Sequence, residues 1–409
     1  MFDCEVSDNK ERQNALPDCI VVGSGFCGSV IARRLAEECD KKVMVLERRQ
    51  QVSGNMYDEY DENGLMIQKY GPHVFHTSKE AVNGFVNRFS KMDDYTFRCS
   101  AEIDGIMVPS PFNFKTVDLL YPAEKAEAIK AACNEAYPGR DAVPILEMLR
   151  CENPLVKEYA QMLFEKDYMP YTCKQWDLRP DQMDVSVLNR VQVMLSYRDT
   201  YFNDTYESMP AEGYTKMFLN MLDHPNITVR LNTDALDELE VLPEQGQVLY
   251  QGQPVSCPVV YTGALDELFG YRFGHLPYRA LWFEYKRLDQ ERYIKETPIA
   301  VYPMRPGYTR ITEYKTFLRQ EDKAKGFTVI ALEYPLEYDK DSEKANEPSY
   351  PVVNQQNMDL YAKYTGLAAK VANLFPCGRL GDYKYYNMDD VIDRAFQVYE
   401  TVKGYMEER

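Results

Sequence analysis

The residues with most chemistry to offer are of three kinds. Gly23, Gly25 and Gly28 stand in G-x-G-x-x-G register within "VVGSGFCGSV", and Glu47 follows about 20 residues on. In that pattern the first glycine permits a tight turn and the second lets the backbone approach a pyrophosphate. The third allows a helix to pack closely on a strand. The helix N-terminus then offers N–H groups to phosphate, and a carboxylate placed like Glu47 accepts hydrogen bonds from a ribose. The second kind is the histidine pair His73 and His76 in "KYGPHVFHTS". Their i, i+3 spacing suits a metal site, a helix face or a loop pressed against a ligand. The chain has four histidines in all, and the other two, His224 and His275, do not complete a metal site. The third kind is cationic and aromatic: arginines in "PYRALWF" and "GYTRITEYK", within a composition of 32 tyrosines against two tryptophans. Tyrosine rings stack on sugars and bases while their hydroxyls bond, although most of the 32 read as half-buried strand residues.

Elements must hold these groups. "DCIVVGSGFCGSVIARRLAEE" reads as an apolar strand from Cys19 to Val22, the glycine turn, and a helix turning Ala32 and Leu35 toward a sheet. "KKVMVLERR" is the next strand, ending at Glu47, so the segment opens a βαβ unit. A Gly54-Asn55 turn and a strand-like stretch come next. Near the other end, "FPCGRLGDYKYYNMDD" places Arg379 between glycines before a helix starting near Asn387 or Met388. That helix either aims its N-terminal dipole at a cofactor or simply closes the fold. Residues 116–170 read as helical; Leu155, Val156, Tyr159, Ala160, Leu163 and Phe164 make an apolar stripe of the kind that fills a bundle core. Residues 275–338 alternate and predict an antiparallel sheet, and 337–350 reads as an acidic surface loop. The predicted class is α/β: a Rossmann-like FAD-binding domain with an inserted helical bundle and an antiparallel β-sheet domain. Its expected pieces are a disordered extension at 1–17 and a discontinuous FAD-binding domain at 18–78, 200–270 and 370–409. A largely helical domain at 79–198 and an antiparallel sheet domain at 271–369 complete it.

A net charge of −17 and a pI near 4.9 exclude nucleic acid and anionic membranes as natural partners. An anionic small ligand needs its own pocket of arginines. Ten cysteines are scattered without a Cys-x-x-Cys pair, which argues for reduced thiols and against zinc. The polar start has no signal-peptide core and no apolar run reaches membrane-spanning length. The expectation is a cytoplasmic enzyme.

Several stretches occur in one order: "GSGFCG", "YGPHVFHT", "PYTCKQW", "DTYFNDTYESMPAEGYTKM", "YTGALDELFGY", "GYTRITEYK", "EYPLEY" and "GRLGDYKYYNM". Together they resemble the prokaryotic UDP-galactopyranose mutases over about residues 18 to 400. The resemblance implies an FAD-dependent isomerase interconverting UDP-galactopyranose and UDP-galactofuranose for galactofuranose-containing cell-surface glycans. Its flavin acts reduced: N5 attacks the anomeric carbon and displaces UDP. It implies FAD contacts from Gly23, Gly25, Phe26, Gly28, Glu47 and Arg48, and from Gly54, Asn55, Arg379, Asn387 and Met388. His73 would lie near the flavin and act in catalysis, with His76 beside it or in a structural role. Arg310 and Arg279 would grip the UDP diphosphate and serve catalysis. Tyr350 and Tyr385 match phosphate-binding tyrosines, and Tyr171 matches a uridine-stacking position beside Thr172 and Trp176. Glu333 would lie near the sugar and Asn387 near sugar or flavin, with Arg198 and Tyr201 also lining the substrate. No metal is implied, and a homodimer is expected.

Three departures stand out. In "RVQVMLSYRDTYF", Met194 occupies the place of a lid arginine of the family and Gln192 that of a proline. A thioether makes no charge-assisted hydrogen bond, so Arg198 or Arg190 would have to supply a second cation. Ser53 replaces a glycine. The readings left open are a mutase for another nucleotide sugar, an FAD oxidoreductase of the amine-oxidase type, and a weakened binding protein.

Overall fold

The structure is a computed structural model that describes residues 16–177, 191–345 and 347–408. The extension expected at 1–17 therefore lies outside the described residues except for its last two. Arg190 and the adjoining part of the expected lid lie outside them as well. The chain divides into two compact units: the chain up to Gly54 with Phe218–His275 and everything from Met358 on, and Asn55–Met217 with Leu276–Asn357.

The first unit is built on a five-stranded parallel sheet in the order Ile227–Arg230, Val43–Leu46, Cys19–Val22, Val259–Tyr261, Leu374–Pro376. Its central strands are apolar at nearly every position, as a sheet covered on both faces requires, and Ile20, Val21, Val45 and Val260 are fully buried. The helix Phe26–Glu38 buries Ala32 and Leu35 and packs on the long C-terminal helix Met388–Glu407. The latter starts at the expected place, with Asn387 as its N-cap residue.

The second unit carries a seven-stranded sheet. Its order is Pro348–Pro351, Tyr278–Leu288, Thr328–Glu337, Arg310–Glu313, Ile299–Val301, Cys99–Ile103, Ile106–Ser110. All neighbours are antiparallel except Ile299–Val301 with Cys99–Ile103. Helices Ala123–Ala136 and Pro154–Leu163 stand where the sequence placed them, the second capped by the Asn153 side chain on Leu155 N–H (3.0 Å). The stripe at Val156, Tyr159, Ala160 and Leu163 is core.

The unit boundaries differ from those expected. Residues 55–78 and 200–217 belong to the second unit, because Tyr206–Pro210 pairs with both Phe75–Thr77 and Met92–Asp94. Residues 358–369 and 271–275 belong to the first, where the Tyr364 hydroxyl donates to Gly274 O (2.6 Å) and accepts from Phe273 N–H (2.9 Å). Two strands of the large sheet come from the region expected to be helical, and 348–351 is a strand with Tyr350 buried rather than loop.

Candidate active site

Two sites emerge, one in each unit. In the first, Gly23 adopts φ +94°, and a Cβ there would lie 2.2 Å from Thr262 Oγ1. At Gly28 a Cβ would lie 2.0 Å from Gly23 O, so only glycine lets the helix sit this close to its strand. Gly25 is different: its Cβ would meet nothing within 4 Å, and its φ of −72° suits any residue. The turn is thus closed at Gly23 and Gly28 and open at Gly25, the side from which a pyrophosphate would approach. No side chain caps the first turn of Phe26–Glu38, and no acid stands in it. Glu47, 5% exposed, accepts from Ser24 N–H (2.9 Å), Ser24 Oγ–H (2.6 Å) and Arg49 N–H (2.9 Å). It therefore braces the glycine turn while one of its roughly four lone-pair sites remains for a ribose hydroxyl. Ser53 sits at φ +79° beside Gly54 at +54°, the left-handed region in which a glycine is easier. These features fit a dinucleotide. Arg48 lies 3.7 Å from Glu267. Arg379 donates to Tyr386 O (2.8 Å) and sits over the ring of Tyr385, itself 40% exposed.

The second site is a face of the seven-stranded sheet. Register alone assembles it: Arg310 is opposite Glu333, which is opposite Phe283, while Arg279 is opposite Tyr350 on the neighbouring pair. Positions 279 and 283 share parity, so Arg279, Phe283, Glu333, Arg310 and Tyr350 project from one side. Arg310 Nε donates to Glu333 Oε2 at 2.5 Å. Burial works against the Arg310 charge, and the Glu333 carboxylate outweighs it, raising the pKa. The other oxygen, Glu333 Oε1, is buried without a hydrogen-bond partner. Arg279 is 4% exposed, and its Nε has no hydrogen-bond partner either. Among the described residues the carboxylate paired with it is the exposed Asp177, 3.8 Å away, and burial lowers the pKa of Arg279. A guanidinium held this way lacks the acceptors a buried cation needs.

The helix Met169–Trp176 covers this face, directly after a π-helical turn at Phe164–Tyr168. Burial raises the pKa of Tyr171, which lies within electrostatic reach of Arg310 and Glu333. Thr172 is buried. The Trp176 ring stands edge-on to Tyr350 (5.3 Å, 69°). Gln175 donates to the Tyr350 hydroxyl while its Oε1 is buried unbonded. Gln175 was not singled out from sequence, although it lies inside the "YTCKQW" stretch.

The histidine loop belongs to the same unit. Gly71, at φ +99°, crosses so close to Phe283 that a Cβ would come within 3.0 Å of its ring. The Gln68 side chain pins the backbone just beyond this crossing by accepting from His73 N–H (2.6 Å). His76 Nδ1 bonds Asp204 (2.7 Å) and its ring stacks on Phe202 (3.7 Å, 14°). His76 is a packed, hydrogen-bonded support, whereas His73 stands on the loop that crosses the arginine face at Phe283. Met194 is not a lid residue here. It is 4% exposed, pairs with Ala142 and donates its N–H to Phe112 O (2.8 Å). Arg198 lies against its sulfur (3.9 Å), with Nε buried and unbonded. Tyr201 packs on Phe97. Among the described residues no group of three or more His, Cys, Asp or Glu could hold a metal, and no helix is long and apolar enough to cross a membrane.

The fold and its glycine cradle define an α/β protein of the Rossmann-like dinucleotide-binding class, and the sequence model of the NAD(P)-binding Rossmann-like domain matches residues 21–89. The UDP-galactopyranose mutase model matches residues 166–385. The chain belongs to the UDP-galactopyranose mutase family, a family of isomerases (intramolecular transferases). It is 36% identical to the UDP-galactopyranose mutase of Mycoplasma pneumoniae, over 92% of this chain and 94% of that one. It is also 32% identical to the dTDP-fucopyranose mutase of Escherichia coli, over 92% and 96%. A crystal structure of a reduced UDP-galactopyranose mutase shares the fold with TM-score 0.71 at 15% identity, covering 95% of this chain and 96% of the other.

Proposed function

We propose that the chain interconverts UDP-galactopyranose and UDP-galactofuranose, with FAD held at the Gly25 cradle, and so supplies galactofuranose for glycan assembly. The observation that carries the substrate reading is the buried, acceptor-poor Arg279 on the same sheet face as Arg310. Such a cation is stabilised when a diphosphate enters. When bound in its reduced form, the flavin supplies the nucleophile for the anomeric carbon. The chain's own residues do the rest. Arg310 and Arg279 hold the diphosphate and neutralise it as it departs, and Glu333 orients Arg310 while Oε1 accepts a sugar hydroxyl. Tyr171 and Trp176 stack or border the base, and the Gly71–His73 crossing closes one side of the arginine face.

The similarity to a dTDP-fucopyranose mutase supports a second reading in which the sugar nucleotide is another pyranose. Chromatography of UDP-galactose, UDP-galactofuranose and dTDP-fucose after incubation with dithionite-reduced protein decides between them. We expect interconversion of the UDP pair only with reduced protein, and Arg310→Ala to lose about 10²–10³-fold in turnover. Equal turnover by oxidised protein, or an Arg310→Ala variant of undiminished rate, overturns the assignment.

A further inference from the structure

Lys174 lies on the helix that carries Tyr171, Thr172, Gln175 and Trp176, and none of the roles above uses it. Its ammonium donates to three backbone carbonyls, Tyr302 O (2.8 Å), Arg305 O (2.6 Å) and Tyr308 O (2.8 Å). An ammonium has three donors and no acceptor, so the set is complete. All three carbonyls belong to one hairpin loop, which joins Ile299–Val301 to Arg310–Glu313 and is closed by Tyr302 N–H on Thr309 O (2.8 Å). The loop is itself held: Arg305 pairs in bidentate fashion with Glu102 (3.0 and 2.9 Å). Gly307, at φ +86°, passes so near Tyr334 that a Cβ would lie 3.3 Å from its ring. One residue after the gripped loop and its closing Thr309 comes Arg310.

We propose that Lys174 is a positioning residue that fixes the spacing between the nucleobase-side helix and the Arg310 strand, so that the two ends of a nucleoside diphosphate bind as one ligand. This rests on the nucleotide-sugar reading above. Two subsites joined by a ligand of fixed length gain affinity over either alone only when their separation matches that length. Among the described residues this helix also meets the sheet through the Gln175–Tyr350 hydrogen bond, the Trp176–Tyr350 ring contact and the loose Asp177–Arg279 approach. Of these contacts the ammonium is the one that grips the loop leading into Arg310. Burial pulls its pKa down to about 8.

The test measures dissociation constants for UDP and for inorganic pyrophosphate by tryptophan fluorescence or calorimetry. Wild type, Lys174→Met and Lys174→Arg are compared as full-length, cofactor-loaded protein. We expect Lys174→Met to weaken UDP about tenfold or more while pyrophosphate changes less than about twofold. A tenfold change corresponds to about 1.4 kcal/mol. Lys174→Arg, which keeps charge and donors, should fall between. A role confined to stability predicts otherwise: both ligands weaken together, or neither does, alongside a lowered unfolding temperature. That outcome, or UDP affinity of Lys174→Met within about twofold of wild type, overturns the proposal. If Lys174→Met does not fold, Lys174→Arg decides by the same selective loss of UDP. Wild type that binds pyrophosphate but not UDP instead refutes the nucleotide reading, and with it this one.

Discussion

Arg279 shows what a single side chain can store. Removing a guanidinium from water without acceptors is destabilising by several kcal/mol unless partners replace the lost solvation, and its Nε has none. The proposed diphosphate would supply the acceptors that this guanidinium lacks. Arg279→Met keeps the apolar stem and removes the charge, so it should stabilise the ligand-free protein by about 1–3 kcal/mol, raising its unfolding temperature by a few degrees. The same change should weaken UDP by about 2–5 kcal/mol. Thermal unfolding and a UDP titration on one preparation check both. A variant that is less stable and binds UDP unchanged would mean that Arg279 is a structural residue. At this scale motifs made Arg279, Arg310, Glu333 and Tyr350 legible as candidates, and the strand register sets them on one sheet face. It was not legible for Lys174, whose partners are backbone carbonyls far along the chain and leave no side-chain signature. Nor was it for Met194, whose substitution looked like a lost lid cation and is a core residue of a two-stranded ladder.

Among elements, the glycine turn separates two kinds of glycine that sequence alone treats alike. Gly28 faces the Gly23 carbonyl, so Gly28→Ala pushes the helix off its strand and should lower the unfolding temperature by several degrees. Gly25 faces open space at an ordinary φ, so Gly25→Ala should fold normally yet bind FAD at least tenfold more weakly, because its methyl would stand where the proposed pyrophosphate meets the backbone. Flavin absorbance retained after gel filtration, set beside thermal unfolding, tells the two apart. A Gly25→Ala protein that keeps its flavin would place the pyrophosphate elsewhere. The βαβ start could be read from sequence because strand, turn and helix are contiguous. The hairpin Cys99–Ile103 to Ile106–Ser110 was missed even though its turn is local: Asp104 and Gly105 take φ of +49° and +84°, the Asp-Gly signal of a two-residue hairpin. The pairing of Cys99 with Ile299 has no such signal, since nothing local records a partner so far along the chain.

At the scale of the whole molecule, composition set the class but not the unit boundaries. Those follow from strand pairs such as Tyr206–Pro210 with Phe75–Thr77, which cut across the changes in local character. Composition does govern how a charged ligand approaches. The chain carries a net charge of −17, while the cations proposed to hold the diphosphate are few and largely buried, and act at contact distance. At about 0.01 M salt, where the screening length is about 30 Å, the protein's excess negative charge dominates the potential an incoming anion meets. A UDP-sugar therefore approaches against the field and is held only on arrival. Raising ionic strength from about 10 to 150 mM should speed association by about two- to tenfold, the reverse of ordinary electrostatic steering. Dissociation should change less, because contacts made by largely buried arginines are screened much less. Stopped-flow fluorescence with UDP across a salt series measures both rates. An association rate that falls with salt would mean that the arginine face, not the net charge, sets the potential an incoming nucleotide meets.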